Sequence, residues 1–157
     1  MKEIKVLVFK LGNEFYATNI MEVERILGYE NPTILPDSPK FLEGVINYDN
    51  NILPVINLIN KFNLNQLKNI DKKIIVIKRE NSKFGILVDS VTEVLTILEE
   101  NIKNPSSLTT LISKKYMNGF IKEKGNIIIM INLEEILTVE EEEIIFQGWY
   151  FHGKKRG

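Results

Sequence analysis

The chain has 157 residues, 44% of them hydrophobic, with 20 basic and 21 acidic side chains giving a net charge of -1, one histidine and no cysteine. That is enough apolar material for one compact domain or two small subdomains sharing a core. The near-neutral charge argues against a duplex nucleic-acid binder, which needs a basic face, and the lack of cysteine excludes disulfides, thiolate metal sites and cysteine catalysis.

The N-terminal segment MKEIKVLVFKLG carries a short apolar run broken by Lys10, too brief for a secretory signal. No stretch reaches the roughly 18 apolar residues of a membrane helix, so a cytoplasmic protein without direct membrane insertion is expected. Residues 4–11 are β-branched and aromatic and predict a strand. Gly12-Asn13 then supplies a turn, and residues 14–18 predict the returning strand of a hairpin. Residues 20–27 (IMEVERIL) read as a third strand with Met21, Val23 and Arg25 on one side, although a helical stripe through Ile20, Val23, Ile26 and Leu27 fits nearly as well. Pro32, Pro36 and Pro39 break regular structure, and a helical turn over 40–42 is expected before Gly44. Residues 45–47 pair with 52–56 across Asp49-Asn50-Asn51, whose side chains suit left-handed geometry. Asn57 is placed to cap a helix over 58–62.

Residues 63–72 are polar and read as a linker. Beyond it the pattern starts again. Residues 73–79 and 84–89 repeat the hairpin around Glu80-Asn81-Ser82, 91–98 repeat the third strand, and 101–115 read as a loop followed by a short helix. Residues 116–137 then repeat the strand, turn, strand and capped helix, with Asn132 as the cap. Laid over 41–62 without a gap, they give identities at Gly44/Gly119, Ile46/Ile121, Asn51/Asn126, Ile52/Ile127, Ile56/Ile131, Asn57/Asn132 and Leu58/Leu133. Residues 6–27 laid over 74–95 bring Val23 onto Val91 and Leu27 onto Leu95. Two copies of about five short strands each predict two small β-barrels, closed to remove aggregation-prone edges. The boundaries read as one domain over 1–143, with subdomain 1 over about 14–72 and subdomain 2 over about 73–143, the strand 4–11 contributing to the second. Residues 144–157 read as an appendage whose Trp149, Tyr150 and Phe151 would cover a barrel.

Chemistry finds little support. His152, the one histidine, lies in the tail, so no serine triad can be assembled. The glycines are isolated and make no phosphate loop. Glu22/Glu24 and Glu134/Glu135 are carboxylate pairs better explained by solvation and helix ends than by acid–base work. The run 140–143 lacks the alternate spacing of a calcium loop and reads as a solvated helix end, so neither metal nor cofactor is expected. Binding remains. If the copies pack about a pseudo-twofold axis, Val23 and Val91 would line one groove suited to an amphipathic helix, the competing reading being that both are core. An OB-like barrel binding nucleic acid or oligosaccharide is the alternative from another class, weakened by the absence of a basic groove.

The segments VLVFKLGNEFYATNIMEVERIL, FLEGVINYDNNILPVINL, FGILVDSVTEVL and YMNGFIKEKGNIIIMINLEEIL, in this order, resemble the CheW family of bacterial chemotaxis coupling proteins. The resemblance spans residues 4 to about 139. It implies a mainly β fold of two five-stranded SH3-like barrel subdomains with pseudo-twofold symmetry, a few short helices and no enzymatic activity. It implies as partners the cytoplasmic tips of chemoreceptors and the regulatory domain of the kinase CheA, at receptor arrays beside the membrane. An isolated module like that regulatory domain is the nearest alternative. By position, the receptor groove would include Thr18, Met21, Val23 and Val91. Where the family usually has Leu-Arg-Gly after GVIN, this chain has Tyr48-Asp49-Asn50, and where the family often has an acid it has Arg25. Arg25 and Asp49 are therefore expected to form a charge-exchanged cross-strand pair, with Asn47 and Tyr48 beside it as kinase or receptor contacts.

Overall fold

A computed structural model describes residues 2–66, 71–80, 82–107 and 114–147. The opening hairpin joins β1 (Glu3–Leu11) to β2 (Glu14–Asn19). Its side chains alternate between two apolar environments rather than between core and water. Leu7, Phe9, Leu11 and Tyr16 enter one buried cluster, while Val6, Val8 and Ala17 enter another. A strand buried on both faces explains the unbroken run VLVF.

Asn19 ends this hairpin by accepting the Met21 amide at 2.9 Å and capping a 3-10 turn over Ile20–Glu22. The third strand, β3 (Val23–Gly28), therefore begins three residues later than its alternation suggests. After the proline segment, Lys40 and Phe41 form a turn and β4 (Leu42–Tyr48) runs back against β5 (Asn51–Asn57). The two residues between them, Asp49 at φ 51° and Asn50 at φ 63°, form a left-handed turn of the kind favoured in hairpins. Asn57 caps α1 (Leu58–Lys61), accepting the Asn60 amide at 3.0 Å.

The second copy supplies β6 (Lys73–Lys78), β7 (Lys83–Val88), β8 (Ser90–Leu98), β9 (Met117–Glu123) and β10 (Asn126–Ile131). Lys124 at φ 49° and Gly125 at φ 82° repeat the left-handed turn. Asn132 accepts the Glu134 amide at 3.2 Å, but the element it caps is only a 3-10 turn over Leu133–Glu135. Part of the 63–72 linker, the residues between Ser107 and Lys114, and the tail with Trp149, Tyr150, Phe151 and His152 lie outside the described residues.

The strands form two five-stranded sheets, ordered β8-β1-β2-β10-β9 and β3-β6-β7-β5-β4. Replacing each strand by its repeat counterpart converts one order into the other, which is the pseudo-twofold relation. The division at residues 72 and 73 is corrected by these orders. The hairpin β6–β7 joins β4 and β5, while β1 and β2 join β9 and β10. The third strand of each copy crosses over: β3 pairs with β6 and β8 pairs with β1. The connections at the two crossings are short, a 3-10 turn after β2 and the single residue Asp89 after β7. Asp89 is buried, and its carboxylate accepts the Gly12 amide at 2.6 Å, tying this crossing to the first hairpin.

Each sheet curls around its own apolar cluster. Val6, Val8, Ala17, Ile97, Ile121, Ile128 and Met130 fill the first; Ile46, Tyr48, Leu53, Val55, Ile74, Val76 and Leu87 fill the second. A third and larger cluster lies between the sheets, with Phe9 and Tyr16 from one and Ile56, Ile77 and Phe84 from the other. After β10 the chain crosses this seam. Thr138 and Glu141 form a capping box at the start of α2 (Val139–Glu142), and a wide turn over Glu143–Gln147 follows. Ile145 is only 4% exposed within the shared cluster, so the body of the protein extends past residue 143 into what the sequence marks as appendage.

Candidate functional site

The two crossing strands bring Val23 and Val91 to equivalent places. Val23 lies opposite Ile77 on β6, Val91 lies opposite Phe9 on β1, and both valines are half-buried against the shared cluster. They are thus neither fully core nor fully exposed. Met21 stands beside Val23 on the capped turn, with 74% of its surface exposed. Thr18 differs: it is fully buried in β2, and its hydroxyl has no hydrogen-bond partner among the described residues. As folded, Thr18 presents no surface to a groove, because it shares the inward face of β2 with Tyr16.

Glu22, which follows Met21 in the chain, lines a cavity of about 530 Å³ together with Arg79, Leu133, Glu134, Glu142 and Phe146 among others. Burial raises the Glu22 carboxyl above the usual range, the neighbouring Glu134 raises it further, and Arg79 only partly opposes this. Arg79 is itself ion-paired to Glu142. Glu141 makes a second pair, 2.6 Å from Lys61, whose side chain is only 6% exposed and lies 4.2 Å from the centre of the Phe41 ring. The acidic run is therefore not simply solvated, since two of its members are tied to cations of the second sheet. The Thr138-x-x-Glu141 spacing signals the capping box at its start, though not these ion pairs.

The expected pair between Arg25 and Asp49 is not formed among the described residues. Instead Arg25 lies over the Tyr48 ring at 5.7 Å. The Tyr48 hydroxyl donates to Glu24 at 2.6 Å, and Lys83 pairs with the same carboxylate at 2.9 Å. A register shift between Val23 and Arg25 leaves Glu24 as an extra residue, so the simple alternation of β3 is broken and Glu24 takes the contact. The Tyr48 bond and the Lys83 contact hold the Glu24 carboxyl below its ordinary value. Because β3 and β4 are opposite edges of one sheet, this contact shows how far the sheet curls. Asn47 and Asp49 are exposed beside the cluster, while Tyr48 is 8% exposed.

No cluster of metal-ligating side chains occurs among the described residues, and none of their helices is long and apolar enough to cross a membrane. Fold and site together define a two-sheet protein, a duplicated β scaffold whose crossing strands carry half-buried valines at equivalent positions, with an exposed methionine beside one of them. Residues 5–141 match the model of the CheW-like domain. The chemotaxis protein CheW of Thermotoga maritima is 33% identical over 146 residues, covering 90% of this chain and 94% of that one. CheW of Treponema pallidum is 26% identical over 145 residues, covering 89% and 85%. The crystal structure of the scaffolding protein TtCheW from Thermoanaerobacter tengcongensis superposes with a TM-score of 0.82 at 31% identity, covering 90% of this chain and 92% of that one. The chain belongs to the CheW-like family of chemotaxis scaffold proteins.

Proposed function

We propose that this protein is a non-enzymatic adaptor that joins the cytoplasmic tips of chemoreceptors to the regulatory domain of the kinase CheA, and that it is recruited to receptor arrays from the cytoplasm. The reading rests above all on the crossing strands: Val23 and Val91 are half-buried at equivalent positions over one shared core, with Met21 exposed beside them. Such a surface suits the apolar stripe of a helical hairpin, and its methionine adapts to the partner's shape. Arg25 on β3, with Asn47 and Asp49 at the end of β4, lies where the Tyr48–Glu24 bond brings the two edges of the second sheet together, and these residues offer a mixed polar face for the kinase or the receptor. Each contact is expected to be modest, because an array multiplies weak contacts through effective concentration.

The test is titration of a receptor-tip hairpin into the wild-type chain and into Met21→Glu and Val91→Lys, with folding checked by thermal melting. A loss of about tenfold or more in affinity at an unchanged fold is expected. Unchanged binding in both variants would remove the crossing strands from the receptor site.

A further inference from the structure

The segment from Thr138 to Gln147 is held in an unusual way. Its α-helix, Val139–Glu142, is four residues long, far below the length at which a helix is stable alone. It follows β10 and so belongs by connectivity to the first sheet, yet its ion pairs reach cations of the second. Glu141 meets Lys61 at the end of α1, and Glu142 meets Arg79 just after β6. Lys61 is enclosed further by Phe41 at 4.2 Å and Tyr116 at 6.0 Å. Beneath these pairs Ile145 is 4% exposed in the shared cluster, with Phe146 packed against it. The outer side carries Val139 at 74% and Ile144 at 56% exposure, so nothing covers the segment from above among the described residues. Glu142 and Phe146 also line the cavity that contains Glu22, the immediate neighbour of Met21 and Val23.

We propose that residues 138–147 are a clasp across the seam between the sheets, which opens as a unit without unfolding either sheet, its two ion pairs setting how often. The physical basis is a difference in what holds each part. The sheets are fixed by continuous backbone ladders, whereas the clasp is fixed among the described residues by buried Ile145, half-buried Phe146, one capping box and two ion pairs; local opening with a free energy below that of global unfolding follows from so sparse a set. Opening uncovers Ile145 and Phe146 and frees Arg79 beside Glu22, so the seam is widest when the clasp is released. This motion belongs to the fold itself and stands whichever partner uses the crossing strands.

Because the chain has no cysteine, Ile145→Cys supplies a single buried thiol. Its rate of modification by a small thiol reagent, followed against denaturant, separates local from global opening. The clasp predicts labelling with a much shallower denaturant dependence than unfolding, accelerated about fivefold by Glu142→Gln in the same background. Asp71→Asn, which breaks an exposed ion pair to Lys73 that involves no residue of the clasp, leaves the rate unchanged. Hydrogen exchange of the wild-type chain, which needs no substitution, should show lower protection at 142–147 than in β1 or β6. The proposal is overturned if labelling of the Ile145→Cys thiol and amide exchange over 142–147 both follow global unfolding with the same denaturant slope. It is equally overturned if Glu142→Gln changes labelling only in proportion to its effect on global stability.

Discussion

Gly44 and Gly119 face the same obstacle in the two copies: a Cβ on Gly44 would lie 2.5 Å from the carbonyl oxygen of Thr33, and one on Gly119 would lie 2.5 Å from that of Lys103. Each glycine has a positive φ, 145° and 154°, and stands at a register shift in its hairpin. In each copy the obstructing chain makes an isolated bridge onto the edge strand, Thr33 to Val45 and Lys103 to Phe120. The glycine lets that bridge approach.

Gly44→Ala and Gly119→Ala are therefore expected to destabilise the protein by similar amounts, about 1–3 kcal/mol each, as read by denaturant melts. Gly28 is the control: a Cβ there would meet nothing within 4 Å and its φ is not positive, so Gly28→Ala should leave stability nearly unchanged.

Thr18 and Ile86 occupy equivalent positions, opposite Leu7 and Ile75 in their hairpins. Both are fully buried, but only Thr18 carries a hydroxyl, and that hydroxyl has no partner among the described residues. Thr18→Val keeps the shape and removes an uncompensated polar group, so it should raise stability by about 1 kcal/mol. A clear loss of stability on this substitution would mean that the hydroxyl is satisfied in solution.

The contacts at the edge of the second sheet make a prediction about coupling. A double-mutant cycle between Arg25 and Asp49 should show no interaction in stability, since no ion pair joins them. A cycle between Tyr48→Phe and Glu24→Gln should show one, because the Tyr48 hydroxyl donates to Glu24. The reverse pattern would restore the charge-exchanged pair.

Glu22 and Glu141 should respond to pH in opposite senses. For Glu141, burial works against the charged form, but Lys61 and Thr138 more than offset it and the carboxyl sits below its ordinary value. Its stabilisation is thus present above the ordinary carboxylate range and is lost as pH falls through the lowered value. Glu22 sits above its ordinary value, so its favourable contribution is confined to acid and disappears as pH rises through the raised value. At neutral pH, Glu141→Gln should lower the melting temperature and Glu22→Gln should raise it. Solvent screening limits each effect to about 0.5–1 kcal/mol, or roughly 1–4 °C. Both differences should shrink in acid.

The repeat was legible in the sequence because each copy reproduces the same buried and turn positions, down to the left-handed residues Asp49 and Asn50 and the capping Asn57. The exchange of third strands was not. The first strands of the two copies, β1 and β6, have near-equivalent sequences, so the pattern of β3 suits either of them and does not say which one it joins. Met21, Val23 and Val91 come to the surface or its margin, whereas Thr18 is inward and the Arg25–Asp49 pair is displaced by a bulge that alternation alone does not reveal. Lys61–Glu141 and Arg79–Glu142 join segments far apart in the chain, and no local pattern announces them.

Bridging of two partners by this protein is tested most directly by immobilising a receptor-tip hairpin and measuring retention of a labelled CheA regulatory domain with and without the chain. Retention is expected to rise with added chain and to fall when Met21→Glu replaces the wild type. Retention that is the same with and without folded chain would contradict the bridging role.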